Sequence, residues 1–342
     1  MKAVFFSEHG GPDVLKFGDA PMPERRQGCA LIRVEASSVN RLDIAVRNGI
    51  QGLSISMPHI PGADAVGTVV ESSPGSAFRD GDRVVINPGV SCGRCVSCLT
   101  GRASLCPEFR ILGEHMDGTY SEFISVPEIN LKAVPASYPV VKAAAAPLVY
   151  ITAWHSLVSR GRLGFGERVL ITGGGGGVST AAIQIAKLFD CHVAVTTRRP
   201  EKEKRLLQAG ADEVITTSAE GWSKDYMRSN GKLFNVVLDS VGTALWKDSF
   251  RLLDRGGRFI NYGRTSGGLI TTDLSFIFWK QLQIIGSTMG DPSDFNTVMG
   301  LVFDRKLEPV VDSVFSLRDA ARAQQHMEKG EHIGKIVLVV GE

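Results

Sequence analysis

No run of the 342 residues is apolar for long enough to cross a bilayer as a helix. The amino-terminal stretch MKAVFFSEHGGPDVLKF opens with a short strand-like run rather than the apolar core of a signal segment. A membrane partner is therefore not expected. Charge of one sign is missing too. The 38 Lys and Arg against 36 Asp and Glu leave a net charge of +2, which gives no field to draw the chain to nucleic acid or to an acidic surface. Cysteine is sparse outside one segment. Cys29 and Cys191 stand alone in apolar surroundings, which suits buried thiols in a reducing, cytoplasmic setting better than disulfides. There is no internal repeat and no low-complexity linker, and the length accommodates two domains with ordinary cores.

The other four cysteines, Cys92, Cys95, Cys98 and Cys106, crowd into the segment SCGRCVSCLTGRASLC with two, two and seven residues between them. Four thiolates at that density close a tetrahedral shell, and an all-sulfur tetrahedron selects zinc or iron. Gly93 and Gly101 let the chain turn tightly around such an ion. A shell filled by four protein ligands keeps no open position, so the ion expected here is one structural zinc, and the chemistry belongs elsewhere.

The first part of the chain reads as β-rich: ALIRVEASSV, GTVVESS and DRVVINPG are Val- and Ile-rich runs bounded by turn residues. VKAAAAPLVYITAWHSLV is helix-like, with Pro147 interrupting it or starting a new turn. Strands and helices then alternate. RVLITG, HVAVTT, EVITT, FNVVLDSV, GRFINYG and QLQIIGSTMG read as strands; VSTAAIQIAKLFD, EKEKRLLQAG and KDSFRLLDRGG read as helices. Continuous apolar strands separated by helices predict a doubly wound parallel sheet. A helix over 316–329, with Ser316 and Asp319 at capping-box spacing, and the strand KIVLVV close the chain. The fold class is α/β: a β-rich domain, 1–130 plus 297–342, with its cysteine lobe at 91–107, into which a nucleotide-binding domain, 131–296, is inserted.

RVLIT runs directly into Gly173 through Gly177, then Val178 and Ser179. Glycine between a strand and a helix lets backbone N–H groups and a helix N-terminus approach a pyrophosphate, which singles out Gly174, Gly176, Gly177 and Val178. The third glycine of the G-x-G-x-x-G pattern falls at Ser179, a small residue. The next strand ends at Thr196-Thr197, where an NAD site usually has an acid. Arg198, Arg199 and Lys202 follow instead, and cations pair with a 2′-phosphate, so NADP(H) is the expected cofactor. A solvated basic helix start is the bland alternative, and the helix dipole disfavours it. Val241, Tyr262, Gly263, Ser287 and Thr288 fall at carboxyl ends of predicted strands, where such sheets bind ligands.

The cysteine lobe, Gly81-Asp82-Arg83-Val84, the turn at 173–179 and Thr152-Ala153-Trp154 together resemble the medium-chain dehydrogenase/reductase superfamily over essentially the whole chain. The resemblance implies a GroES-like domain with an inserted Rossmann domain. It also implies Arg41 on the cofactor pyrophosphate and Thr152 at the nicotinamide. Zinc alcohol dehydrogenases of this superfamily hold a second, catalytic zinc. Here Asn40 stands where the ligand cysteine would be, and Ala63 where the ligand histidine would be, with Asp64 beside it. An amide and a methyl group do not replace thiolate and imidazole. Zinc-free members with Asn at this position resemble quinone oxidoreductases and enone or enoyl reductases. The expectation is an NADPH-dependent reductase of a small conjugated carbonyl substrate, with Asn40, Asp43 and Asp64 as candidate catalytic residues. Two alternatives stand beside it. One is a zinc alcohol dehydrogenase or carbonyl reductase with unconventional ligands drawn from His59, Asp64 or Asp43; the other is a nonenzymatic NADPH-binding sensor or interaction protein. QLQIIGSTMG as a sheet edge, and the habit of the family, imply a homodimer or homotetramer.

Overall fold

A computed structural model describes residues 1–217, 221–229 and 231–341. The chain divides into two compact units, Met1–Val149 with Asp291–Glu342, and Tyr150–Gly290.

The first unit is organised around the eleven-residue strand Cys29–Val39. Its alternating Ala30, Ile32 and Val34 enter a core with Ala65, Val69, Val84, Ile86, Ile124, Val126 and Leu131, the period-two burial expected of a strand with one face covered. This strand pairs antiparallel with Asp64–Glu71, Phe123–Pro127 and Lys335–Val339, in a seven-stranded sheet that Val311–Ser316 extends at one edge. Two registers matter for function. Ile336 lies opposite Val39, and Asp64 lies opposite Ser38. The ends of three neighbouring strands thus bring Asn40, Asp64 and Lys335 together from distant parts of the sequence.

The domain boundaries expected at 131 and 297 move to 150 and 291. Leu131–Ala133 pairs with Arg83–Ile86 and so completes the first unit's sheet. Val140–Ala144 packs on the strands Cys29–Val39 and Asp64–Glu71. At the return, Asp291 starts the helix Pro292–Phe303, its N–H donating to Asp294 Oδ2 at 2.9 Å, while its Oδ1 accepts from Ser104 N–H at 2.8 Å. The expected side-chain cap at Ser316 does not form. Ser316 ends a strand, Leu317–Asp319 is a 3-10 turn, and the helix runs Ala320–Lys329.

The second unit is a six-stranded, all-parallel sheet. Its order is Glu213–Thr216, His192–Thr197, Arg168–Ile171, Phe234–Asp239, Leu253–Asn261 and Gln283–Gly286. The winding reverses between Arg168–Ile171 and Phe234–Asp239, which makes their carboxyl ends the topological switch point. Leu170, Val237, Trp246, Phe250 and Phe259 belong to its core. The helix expected over KDSFRLLDRGG is Thr243–Arg251; Leu253 already pairs with Phe234 as strand. Pro147 begins a new helix, Pro147–Trp154, at the position where its missing N–H costs nothing. No helix among the described residues is long and apolar enough to cross a membrane.

Candidate functional site

At the strand ends of the first unit, the Asp64 carboxylate is fully buried and takes four donors. Oδ1 accepts from the Leu148 N–H at 2.7 Å. Oδ2 accepts from Ser38 Oγ and Asn40 Nδ2, both at 2.9 Å, and from Lys335 Nζ at 3.1 Å. Its own carbonyl accepts from Ser37 and Thr119 hydroxyls. Lys335, 2 % exposed, spends its other protons on the Val39 carbonyl at 2.9 Å and on Asn40 Oδ1. A buried carboxylate and a buried ammonium are each costly alone, and this geometry pairs them and satisfies both.

Asp43 sits three residues into the helix Arg41–Asn48, which Asn40 opens in extended conformation. Asp43 Oδ2 accepts from the Asn40 N–H at 2.8 Å and from the Tyr120 hydroxyl at 2.9 Å. Gly62, at φ +101°, makes room for the Tyr120 ring; a Cβ there would collide with it. Burial pushes the Asp43 carboxyl up to about 7, against the lowering pull of the Asn40 N–H, the Tyr120 hydroxyl and the Lys335 charge. Asn40, Asp43 and Asp64 therefore form one contiguous buried network. The rearranged metal set does not gather: His59 Nε2 meets the Gly113 carbonyl at 3.0 Å, and Nδ1 lies 3.7 Å from Asp117. Sequence reasoning missed Lys335 and Tyr120. The one available signal for Lys335 was a charge opening an otherwise apolar strand.

The cysteine lobe has a different character. Cys92 Sγ lies 3.5 Å from Cys106 and 3.9 Å from Cys98, and Cys95 lies 3.5 Å from Cys98. All four sulfurs lie within 4.8 Å of one another. A zinc–sulfur distance of about 2.3 Å implies a tetrahedron edge of about 3.8 Å, so the four thiols fit one zinc ion. The backbone N–H groups of Arg94 and Cys95 point at Cys92 and draw its thiol down to about 6. The Glu108 N–H reaches Cys106 Sγ at 3.3 Å. Such donors favour the thiolate, the form that binds metal.

In the second unit the glycine turn leads into the helix Gly177–Leu188, whose first N–H groups have no carbonyl within the helix to accept from them. A Cβ on Gly174 would collide with Val195, so close packing of turn on strand requires glycine there. Gly176 and Val178 flank this opening, and Val241 lies over Gly173. Thr197 Oγ1 accepts from the Arg199 N–H at 3.1 Å, closing the turn after His192–Thr197. Arg198 is exposed there, Arg199 contacts Glu201 at 3.3 Å, and Lys202 is buried in the turn Pro200–Lys202. Of the three cations after this strand, Arg198 is thus the most exposed.

Asp239, at the end of its strand, was not foreseen. Its carboxylate accepts from Thr172 Oγ1 at 2.6 Å, the Val241 N–H at 3.2 Å, and the Gly242 N–H and Asn261 Nδ2 at 3.0 Å. It ties three strand ends at the switch point, and burial raises its pKa. Tyr262 and Gly263 follow Asn261, with the Tyr262 hydroxyl near Ser240 and Ser179. Ser287 bonds Ser156 at 2.9 Å, Thr152 Oγ1 approaches Met289 Sδ at 4.0 Å, and Thr288 is exposed. These positions share the carboxyl-terminal side of the sheet. Arg41 is exposed on the first unit's helix Arg41–Asn48. The turn, the switch point and the open helix N-terminus fit a dinucleotide.

Comparison with known proteins agrees with this layout. The alcohol dehydrogenase GroES-like domain family matches residues 26–136, and the zinc-binding dehydrogenase family matches 177–304. An NAD-dependent alcohol dehydrogenase of Sulfurisphaera tokodaii is 29% identical over 99% of this chain and 100% of its own. A quinone oxidoreductase of Pongo abelii is 28% identical over 99% and 98%. The crystal structure of an NAD-dependent alcohol dehydrogenase superposes with a TM-score of 0.94 at 40% identity, covering 100% of both chains. With both of its domains matched and its whole length shared, the chain belongs to the medium-chain dehydrogenase/reductase superfamily of oxidoreductases.

Proposed function

We propose that the chain reduces a conjugated carbonyl compound (a quinone, enone or enoyl compound) with NADPH, and that no metal ion acts at the reacting oxygen. The observation that carries this reading is the closure of Asn40, Asp64 and Lys335 on one another at the strand ends. By resemblance, zinc enzymes of the superfamily keep a cysteine and a histidine at positions 40 and 63. Neither an amide nor a methyl group binds zinc as they do. An alkoxide from an unactivated alcohol calls for a Lewis acid, whereas a conjugated acceptor delocalises incoming charge onto its oxygen, where hydrogen-bond donors suffice.

Bound at the glycine turn, NADPH would supply the hydride for the β-carbon of the acceptor, with the charge passing to the carbonyl oxygen and the proton coming from water. The Asn40 Nδ2 group donates to that oxygen. Its second hydrogen reaches the Ser38 carbonyl at a long 3.4 Å, a weak bond that donation to the acceptor oxygen would replace. Gly174, Gly176, Gly177 and Val178 receive the pyrophosphate, and Asp239 holds the strand ends that carry Val241 and Tyr262. Arg198, with Arg199 beside it and no acid at Thr197, supports the choice of NADPH over NADH. The four cysteines hold one structural zinc. The exposed residues Leu274, Phe278, Trp279 and Ile284 near the edge strand Gln283–Gly286 support a homo-oligomer. Light scattering that returned a monomer would remove that last point.

A spectrophotometric panel of quinones, enones, enoyl thioesters, aldehydes and alcohols tests the reading. NADPH oxidation by conjugated acceptors is expected, with little turnover of simple alcohols; the reverse pattern sinks it. Arg198→Ala with Arg199→Ala is expected to erase the preference for NADPH over NADH. An unchanged cofactor ratio would remove the phosphate role.

A further inference from the structure

The strand Lys335–Val339 begins with the one residue of its apolar run that carries charge, and that residue is buried as deeply as its aliphatic neighbours. We propose that Lys335 is a positioning residue for the reaction: its ammonium fixes which way the Asn40 side-chain amide faces and polarises it for donation to the acceptor oxygen. This rests on the reading that Asn40 donates to that oxygen, and goes beyond it by assigning the cation that makes the amide an effective donor.

The argument is one of matched donors and acceptors. An ammonium group only donates, and an ionised carboxylate only accepts. Asn40 lies against both. Its Oδ1 accepts from Lys335 Nζ and its Nδ2 donates to Asp64 Oδ2 at 2.9 Å. The flipped amide would set N–H against ammonium and carbonyl oxygen against carboxylate, so a single orientation survives. Val39 O and Asp64 Oδ2 take the other two ammonium protons, so Lys335 has no N–H left for the substrate and works through Asn40. A cation on the amide oxygen withdraws density from the amide nitrogen and strengthens the remaining N–H as a donor, as charge assistance does in chained hydrogen bonds. The positive charge is thus retained at the strand ends, one amide removed from the reacting oxygen.

The test is a double-mutant cycle on kcat with the best acceptor of the panel. Lys335→Met alone leaves Asp64 buried without its counter-ion and risks unfolding. Asp64→Asn with Lys335→Met removes both charges together and is the working variant. Asn40→Ala is expected to lower kcat about 100-fold, the scale of losing one oxyanion donor, with the KM for NADPH unchanged. The charge-neutral pair is expected to lower kcat at least about tenfold with the same unchanged KM. Combining it with Asn40→Ala should add almost nothing, because the ammonium acts only through the amide. Lys335→Arg, which keeps a donor-only cation, should recover part of the rate. A purely structural lysine predicts instead that the two losses multiply, or that kcat stays normal in the folded pair; either result overturns the proposal while leaving Asn40 as the donor. If Asn40→Ala retains full kcat, the donor reading itself fails and the role of Lys335 falls with it.

Discussion

Two constellations in the first unit, the cysteine lobe and the strand-end network, concentrate polar groups in opposite ways. The lobe brings four sulfurs to the separation a tetrahedral ion requires and aims backbone N–H groups at them. The network leaves nothing of the sort: its carboxylate is saturated by four donors, and its positive charge comes from Lys335. The lobe's sulfurs suit a cation taken from solution, whereas the network carries its own. On the function proposed above, one superfamily architecture keeps a metal-binding lobe while its chemistry passes to hydrogen bonds.

The sharpest way to break this comparison is to count metal and then remove it. One zinc per chain is expected, bound by the lobe, and lost in Cys92→Ser with Cys95→Ser. Structural zinc in small cysteine sites is worth on the order of 10 kcal/mol in binding free energy, so this variant should show the largest fall in melting temperature of any described here. Two zinc ions per chain, with kcat abolished by a chelator that leaves the fold intact, would erase the distinction and restore the alcohol dehydrogenase alternative.

A smaller effect probes whether the network's charges truly compensate one another. Asp64→Asn leaves the Lys335 ammonium buried with neutral partners, and should cost about 3–5 kcal/mol in urea unfolding. Adding Lys335→Met to it should recover part of that loss, since an apolar pair of similar volume no longer buries an unmatched charge. A loss of under about 1 kcal/mol for Asp64→Asn would mean that solvent reaches the network and that it is not the closed site described.

The lobe was legible in the sequence and the network only by halves, for a physical reason. Cysteine spacing and the glycine turn are local signals, as are the alternating strands and helices of the second unit, so fold class and lobe could be read residue by residue. Asn40 and Asp64 were visible as departures from a family pattern. Lys335 was not, because 295 residues separate it from Asn40, and only the register of Ile336 on Val39 brings them together. The domain limits were misread for a related reason. Leu131–Ala133 looks like any short strand until its pairing with Arg83–Ile86 is known. Asp239 was passed over in favour of nearby Val241, since its four hydrogen bonds depend on how three strand ends meet.

The mildest test separates the network from the lobe by pH alone. Asp43 has a usual carboxyl value of 3.8 and is pushed by burial to about 7 in the fold. Its folded state therefore holds a proton that the unfolded chain has released over the interval between those values. Where the native state binds more protons, stability falls as pH rises, so this carboxyl lowers stability progressively from about pH 4 to about pH 7. Asp43→Asn keeps an oxygen that can accept from the Asn40 N–H and the Tyr120 hydroxyl, but has no proton to lose. The stability difference between variant and wild type should therefore shift in the variant's favour by about 2 kcal/mol between about pH 4 and about pH 6. Urea midpoints across that range measure it, and comparing the two proteins cancels every other titrating group, the cysteines included. A difference that stays flat with pH would mean that Asp43 ionises at its ordinary value, in contact with water, and that the network is open where the structure has it closed.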